Sequence, residues 1–128
     1  MTTTGLVTAL RACATGLYPL EAGVEFLIAN GTFLHCSNFT SRFILHGTSS
    51  GTHMAAIDWD AAAAALAVGE LPCSGERRVL ALAASLAAGI PVDLGDAVGG
   101  LDDRNTRHLV TAIYHAAGKR PGNKRNSG

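Results

Sequence analysis

Aromatic side chains are scarce: four Phe, two Tyr and one Trp make up 5% of 128 residues, although 48% of the chain is hydrophobic. A core built on large rings is therefore excluded. Alanine, leucine and valine must fill it, each alanine buries little area, and stability has to come from many modest contacts between closely approaching helices. Long apolar runs are also absent. The most apolar stretch, 79–90, is about a dozen residues, too short to span a bilayer, so no membrane partner is expected. Neither sign of charge dominates, with ten Lys and Arg against ten Asp and Glu. The three cysteines, Cys13, Cys36 and Cys73, are odd in number, widely spaced and without a CxxC pair. That pattern argues against a disulfide framework and for a reducing, cytoplasmic setting, as does an N-terminus without the charged start and apolar run of a signal peptide.

What charge there is lies unevenly. Lys119, Arg120, Lys124 and Arg125 sit in the last ten residues without an acid, leaving six bases against ten acids, a net −4, in the body. The expectation is a single helical domain over 1–118 followed by a disordered basic tail, 119–128, with nothing to bury.

The elements follow from punctuation and period. Leu6, Val7, Leu10 and Cys13 fall at helical spacing before Gly16. Pro19 and Glu21 open a second helix that Asn30-Gly31 closes, and Ser37-Asn38 caps a short turn that buries Phe39 and Phe43. Residues 43–57 read as the one hairpin, with strands 43–46 and 53–57 around a six-residue loop. From Asp58 the punctuation is firmer. Asp58 caps a helix with a Trp59, Ala63 and Leu66 stripe that Gly69 ends, and Ser74 caps a central helix buried through Val79, Leu80, Leu82, Ala83 and Leu86. Asp93 caps a short helix, and Asp102 or Asp103 starts a last one that buries Leu109, Val110, Ile113 and Ala117. The fold class is mainly α: a compact bundle of about seven short helices with one small β-hairpin (about 43–57), of which 58–118 is the sturdier half.

Four constellations carry candidate chemistry. Cys73-Ser-Gly-Glu-Arg-Arg-Val-Leu-Ala-Leu-Ala-Ala-Ser-Leu-Ala, with Gly100-Leu101-Asp102 after it, resembles the signature stretch of ABC-transporter ATPases. That resemblance implies a Ser-Gly pair opening a helix against a nucleotide phosphate. It covers about 30 residues; no GxxxxGK[ST] loop accompanies it, and Ala97 stands where the catalytic Glu belongs, so hydrolysis is not expected. The last two helices and their Gly99-Gly100 turn have the layout of a helix-turn-helix DNA reader. Arg104, Arg107, His108 and Thr111 share one face at i, i+3, i+4 and i+7, with Lys119 and Arg120 just beyond; Asp102 and Asp103 at the helix start oppose phosphate. His46 and His53 become cross-strand neighbours in the hairpin, and His35 and Cys36 are the weak candidates to complete a metal set, although the spacing fits no trusted zinc pattern. Cys73, before a helix start with Arg77 and Arg78 one turn on, is the only candidate nucleophile, and it lacks a histidine base in sequence.

None of these assembles a catalytic set or calls for a cofactor. The leading expectation is a small non-enzymatic interaction or regulatory module acting through macromolecular binding, with self-association as a homodimer. The alternative is a DNA-binding regulator using 93–117 and the tail. A second alternative is a small metal-binding or cysteine-dependent enzyme.

Overall fold

In the computed structural model, which describes residues 2–71, 73 and 75–119, seven α-helices and a two-stranded antiparallel hairpin surround a core that corrects the expectation from composition, because all four phenylalanines and Trp59 are buried in it among alanine, leucine and valine. Helix α1 (Thr3–Ala14) starts where the Thr2 hydroxyl accepts the Gly5 N–H. Helix α2 (Tyr18–Asn30) carries Pro19 in its first turn and ends on Gly31 in the left-handed region, φ 86°, a conformation an L side chain disfavours. A 3-10 turn (Phe33–His35) and α3 (Ser37–Phe43) follow, burying Phe33, Phe39 and Phe43 as a tilted ladder with centroids 5.3 Å apart.

The hairpin is longer and tighter than the sequence reading. Strands β1 (Ile44–Ser49) and β2 (Thr52–Ile57) are joined by two residues, Ser50 and Gly51, both at positive φ (51° and 81°). That is the mirror-image turn whose twist matches the strands, so Gly47, Thr48, Ser49 and Thr52 belong to the ladder and not to a six-residue loop. Strand β2 packs on α1, whereas β1 is exposed beyond Ile44.

Helices α4 (Trp59–Ala67), α5 (Arg77–Ala88), α6 (Leu94–Gly99) and α7 (Asp103–Ala116) complete the chain. Asp58, Asp93 and Asp102 cap α4, α6 and α7 by accepting backbone N–H groups, as their positions before apolar runs suggest. Ser74, the expected cap of α5, lies outside the described residues; α5 starts later, with Glu76 accepting the Arg78 N–H. In α4 the fully buried positions are Trp59, Ala62 and Ala65, with Ala63 and Leu66 half-buried.

Helix α2 is the hub. Its largest interface is with α5, and α7 and α1 also lie along it. The α2–α5 approach is close because Gly23 faces Ala83 and Ala87: a Cβ there would stand 2.6 Å from the Ala87 Cβ and 2.7 Å from the Ala83 carbonyl oxygen. At the far end the Asn30 amide donates to the Asn105 side-chain oxygen (3.0 Å) in a buried pair that ties α2 to α7.

Two further expectations are corrected. Cys36 and Cys73 form a disulfide with Cα atoms 6.3 Å apart, leaving Cys13 as the free thiol. Gly75 makes the approach possible, because a Cβ at that position would meet the Phe33 ring at 2.9 Å. Helix α7 is also rotated relative to its expected stripe: Asn105, Leu109 and Ala112 face the core, whereas Val110, Ile113 and Ala117 are exposed. The buried face is turned by about one residue, with Ala112 inward in place of Ile113, and the Asn30–Asn105 bond fits this by pointing Asn105 inward.

Candidate functional site

Both α1 and α7 pack on α2 more than on each other, so a groove runs above α2 between them. It holds an open cleft of about 470 Å³, within the range of ligand pockets. Each wall is one helical stripe. From α1 come Arg11, Ala14 and Thr15; from α2, Glu21, Val24, Glu25, Phe26 and Ala29; from α7, His108, Thr111, Ala112 and His115. These spacings of three and four place side chains on a common helix face.

The floor is apolar, and the polar side chains on the rim are already hydrogen-bonded to one another. The Arg11 guanidinium donates twice to Glu25, at 2.8 and 3.0 Å. This bidentate pair holds the guanidinium above its ordinary value, chiefly through the Glu25 hydrogen bond. Opposite, His115 Nε2 lies 2.7 Å from Glu21 Oε1, so the ring donates, and the Gly16 N–H donates to Glu21 Oε2 at 2.8 Å. These bonds, the histidine's first, hold the Glu21 carboxyl below the usual carboxylate range. Tyr18 sets its ring edge-on to His115, 5.9 Å between centroids. One polar atom stands apart: His108 Nε2 is buried without a hydrogen-bond partner, a costly state for an imidazole nitrogen.

The residues singled out in the sequence are partly dispersed. Of the DNA-reading face, His108 and Thr111 wall the cleft. Arg104 turns back onto the C-terminus of α2, donating to the Ala29 carbonyl at 2.7 Å and the Asn30 carbonyl at 3.4 Å, where the macrodipole favours a cation. Arg107 and Lys119 are exposed, and Arg120 lies outside the described residues. Cys73 as a nucleophile and Cys36 as a metal ligand are both corrected by the disulfide, which leaves neither sulfur a free thiol.

His35 Nδ1 is committed to the Gly31 carbonyl at 2.6 Å. His46 and His53 do meet, but on the diagonal: His46 pairs with Ala55 and His53 with Thr48, and the side chains reach across to bring His46 Nδ1 and His53 Nε2 to 3.0 Å. Among the described residues no group of three or more His, Cys, Asp or Glu donors comes together.

The Glu21–His115 pair escaped the sequence reading, since 94 residues separate its members. The available signal was the polar spacing of His108, Thr111 and His115 beside the apolar stripe of α7. Comparisons with protein-family models, curated proteins and solved structures find no match for the chain.

Proposed function

We propose that the chain is a non-enzymatic interaction module whose recognition site is the α1–α2–α7 cleft, and that the cleft receives an apolar anchor from a partner protein. The observation that carries this reading is the apolar floor of an open 470 Å³ cleft whose rim side chains are already hydrogen-bonded to one another. Arg11, Glu25 and Glu21 on this rim already spend their hydrogen bonds within the chain, so shape and apolar burial govern what enters. Two large hydrophobic residues beside it are uncovered: Leu17 is 59% exposed and Tyr18, which touches the rim histidine, 54%. An anchor side chain seated in a pocket, ringed by further contact, is the usual layout of a protein interface hot spot.

Self-association belongs to the same proposal, because Leu94, Val98, Val110, Ile113 and Tyr114 on α6 and α7 are also exposed apolar residues. The DNA-reading alternative has thinner support, since Arg104 is engaged by α2 and His108 and Thr111 face the cleft. Cytoplasmic placement stays a proposal with one support fewer, as two of the three cysteines are joined. Among the described residues no helix is long and apolar enough to cross a membrane.

Filling the cleft tests the reading. Thr111 is exposed on its wall, so Thr111→Trp occupies the cleft without entering the core. Retention of a co-purifying partner by the wild-type chain and its loss from a folded Thr111→Trp variant is the expected result. A partner held equally by both refutes the cleft as the recognition site.

A further inference from the structure

We propose that His46 and His53 form a two-histidine chelate on the hairpin for one divalent first-row transition-metal ion of the Cu²⁺ or Ni²⁺ type. The evidence is the placement of two ligand nitrogens at chelating distance on adjoining strands. His46 Nδ1 and His53 Nε2 lie 3.0 Å apart, with ring planes within 13° and ring centroids 5.2 Å apart. The centroid separation exceeds the nitrogen separation by about one ring width, so the rings meet edge to edge, not face to face. Their in-plane lone-pair directions therefore converge on one short gap, which a single N–H···N proton fills in the metal-free chain. A metal ion replaces that proton as the shared electrophile, each neutral imidazole giving a nitrogen lone pair, and the ring that donated the N–H carries its proton on its other nitrogen instead, so that no net proton is released.

The separation also sets the geometry when the rings turn about their contacting nitrogens and keep it. With metal–nitrogen bonds of about 2.0–2.1 Å, two nitrogens 3.0 Å apart subtend an angle of about 95° at the metal. That is the cis angle of a six-coordinate, tetragonal site, which Cu²⁺ and high-spin Ni²⁺ take, and it is narrower than the tetrahedral angle zinc takes. The rings must swing so that their lone pairs point to a common centre beside the N···N line, and their setting permits it: His46 is exposed and His53 half-buried. Water fills the remaining positions, consistent with the lack of any third His, Cys, Asp or Glu donor among the described residues. The backbone supplies the rigidity, because the six-pair ladder and its two-residue turn fix the diagonal register. Bound metal then cross-links an edge strand exposed beyond Ile44 to one that packs on α1.

The test uses the full chain with Ni²⁺ as probe, which avoids oxidising Cys13. Isothermal titration is expected to give one Ni²⁺ per chain, with affinity falling at least tenfold in both His46→Ala and His53→Ala and unchanged in His35→Ala. Because either substitution loosens the hairpin, a second measurement is made on the unaltered protein. Paramagnetic broadening by Ni²⁺ should fall first on the imidazole resonances of His46 and His53 and spare those of His108 and His115. Affinity unchanged by both single variants, or broadening centred on another histidine, overturns the proposal.

Discussion

Replacing Gly23 by alanine opposes two effects of known sign, and the structure decides between them. In a solvent-exposed helix interior, Gly→Ala stabilises by about 1 kcal/mol, because glycine loses more backbone freedom on folding. At Gly23 the new methyl would lie 2.6 Å from the Ala87 Cβ and 2.7 Å from the Ala83 carbonyl oxygen. Both contacts are well inside van der Waals separation. Neither neighbour can swing aside: one is a side chain without rotamers and the other is backbone. Helices α2 and α5 must therefore move apart along their largest interface, loosening Ala83, Ala84 and Leu80, which are buried to within 1%. Overpacking of this kind costs about 1–3 kcal/mol, and a contact with main chain belongs at the upper end. Subtracting the propensity gain leaves a net loss of about 2 kcal/mol, or roughly 5–10 °C in melting temperature for a domain of this size. Chemical denaturation of wild type, Gly23→Ala, Ala87→Gly and the double variant measures both the loss and its coupling. The double variant should recover only part of the loss, because the Ala83 carbonyl remains. A Gly23→Ala protein more stable than wild type would refute the close approach of α2 and α5.

The Cys36–Cys73 bond closes a loop with a sequence separation of 37, which by loop entropy corresponds to roughly 4 kcal/mol of stabilisation. Denaturation of Cys36→Ser/Cys73→Ser against the oxidised wild type should show most of it, and equal stabilities would mean that the bond does not form. Glu21 sets an acid limb. Its folded value is depressed, so its stabilisation is complete above an unfolded value of about 4.3 and is lost as pH falls through the lower folded one. Glu21→Gln should therefore differ most from wild type at neutral pH and converge with it below about pH 4; a gap constant from neutral to pH 3 would contradict the His115 and Gly16 bonds as the cause.

Local punctuation was legible along the chain because it depends on neighbouring residues. Asp58, Asp93 and Asp102 precede apolar runs and cap their helices, and Gly31 and Gly89 take the left-handed conformation that ends α2 and α5. The hairpin was legible in place but not in its turn, since the chain there offers several turn formers and only the ladder selects Ser50-Gly51. The face of α7 was misjudged because Val110 and Ile113 look more buried than Asn105 by hydropathy. A hydrogen bond to Asn30, 75 residues away, reverses that order. The disulfide and the cleft were illegible for the same reason. Cys36 meets Cys73, and Glu21 meets His115, only after α2 has gathered α5, α1 and α7 around itself.

Docking of a partner protein in the cleft is read out by photo-crosslinking from within it. A benzophenone amino acid is placed at Thr111, on the cleft wall, and separately at Asp60, exposed on α4 away from it. Both proteins are irradiated in the cells that produce them. A discrete protein adduct from position 111 and none from position 60 is the expected result. Adducts of equal yield from both positions, or none from 111 in a folded protein, would contradict docking there.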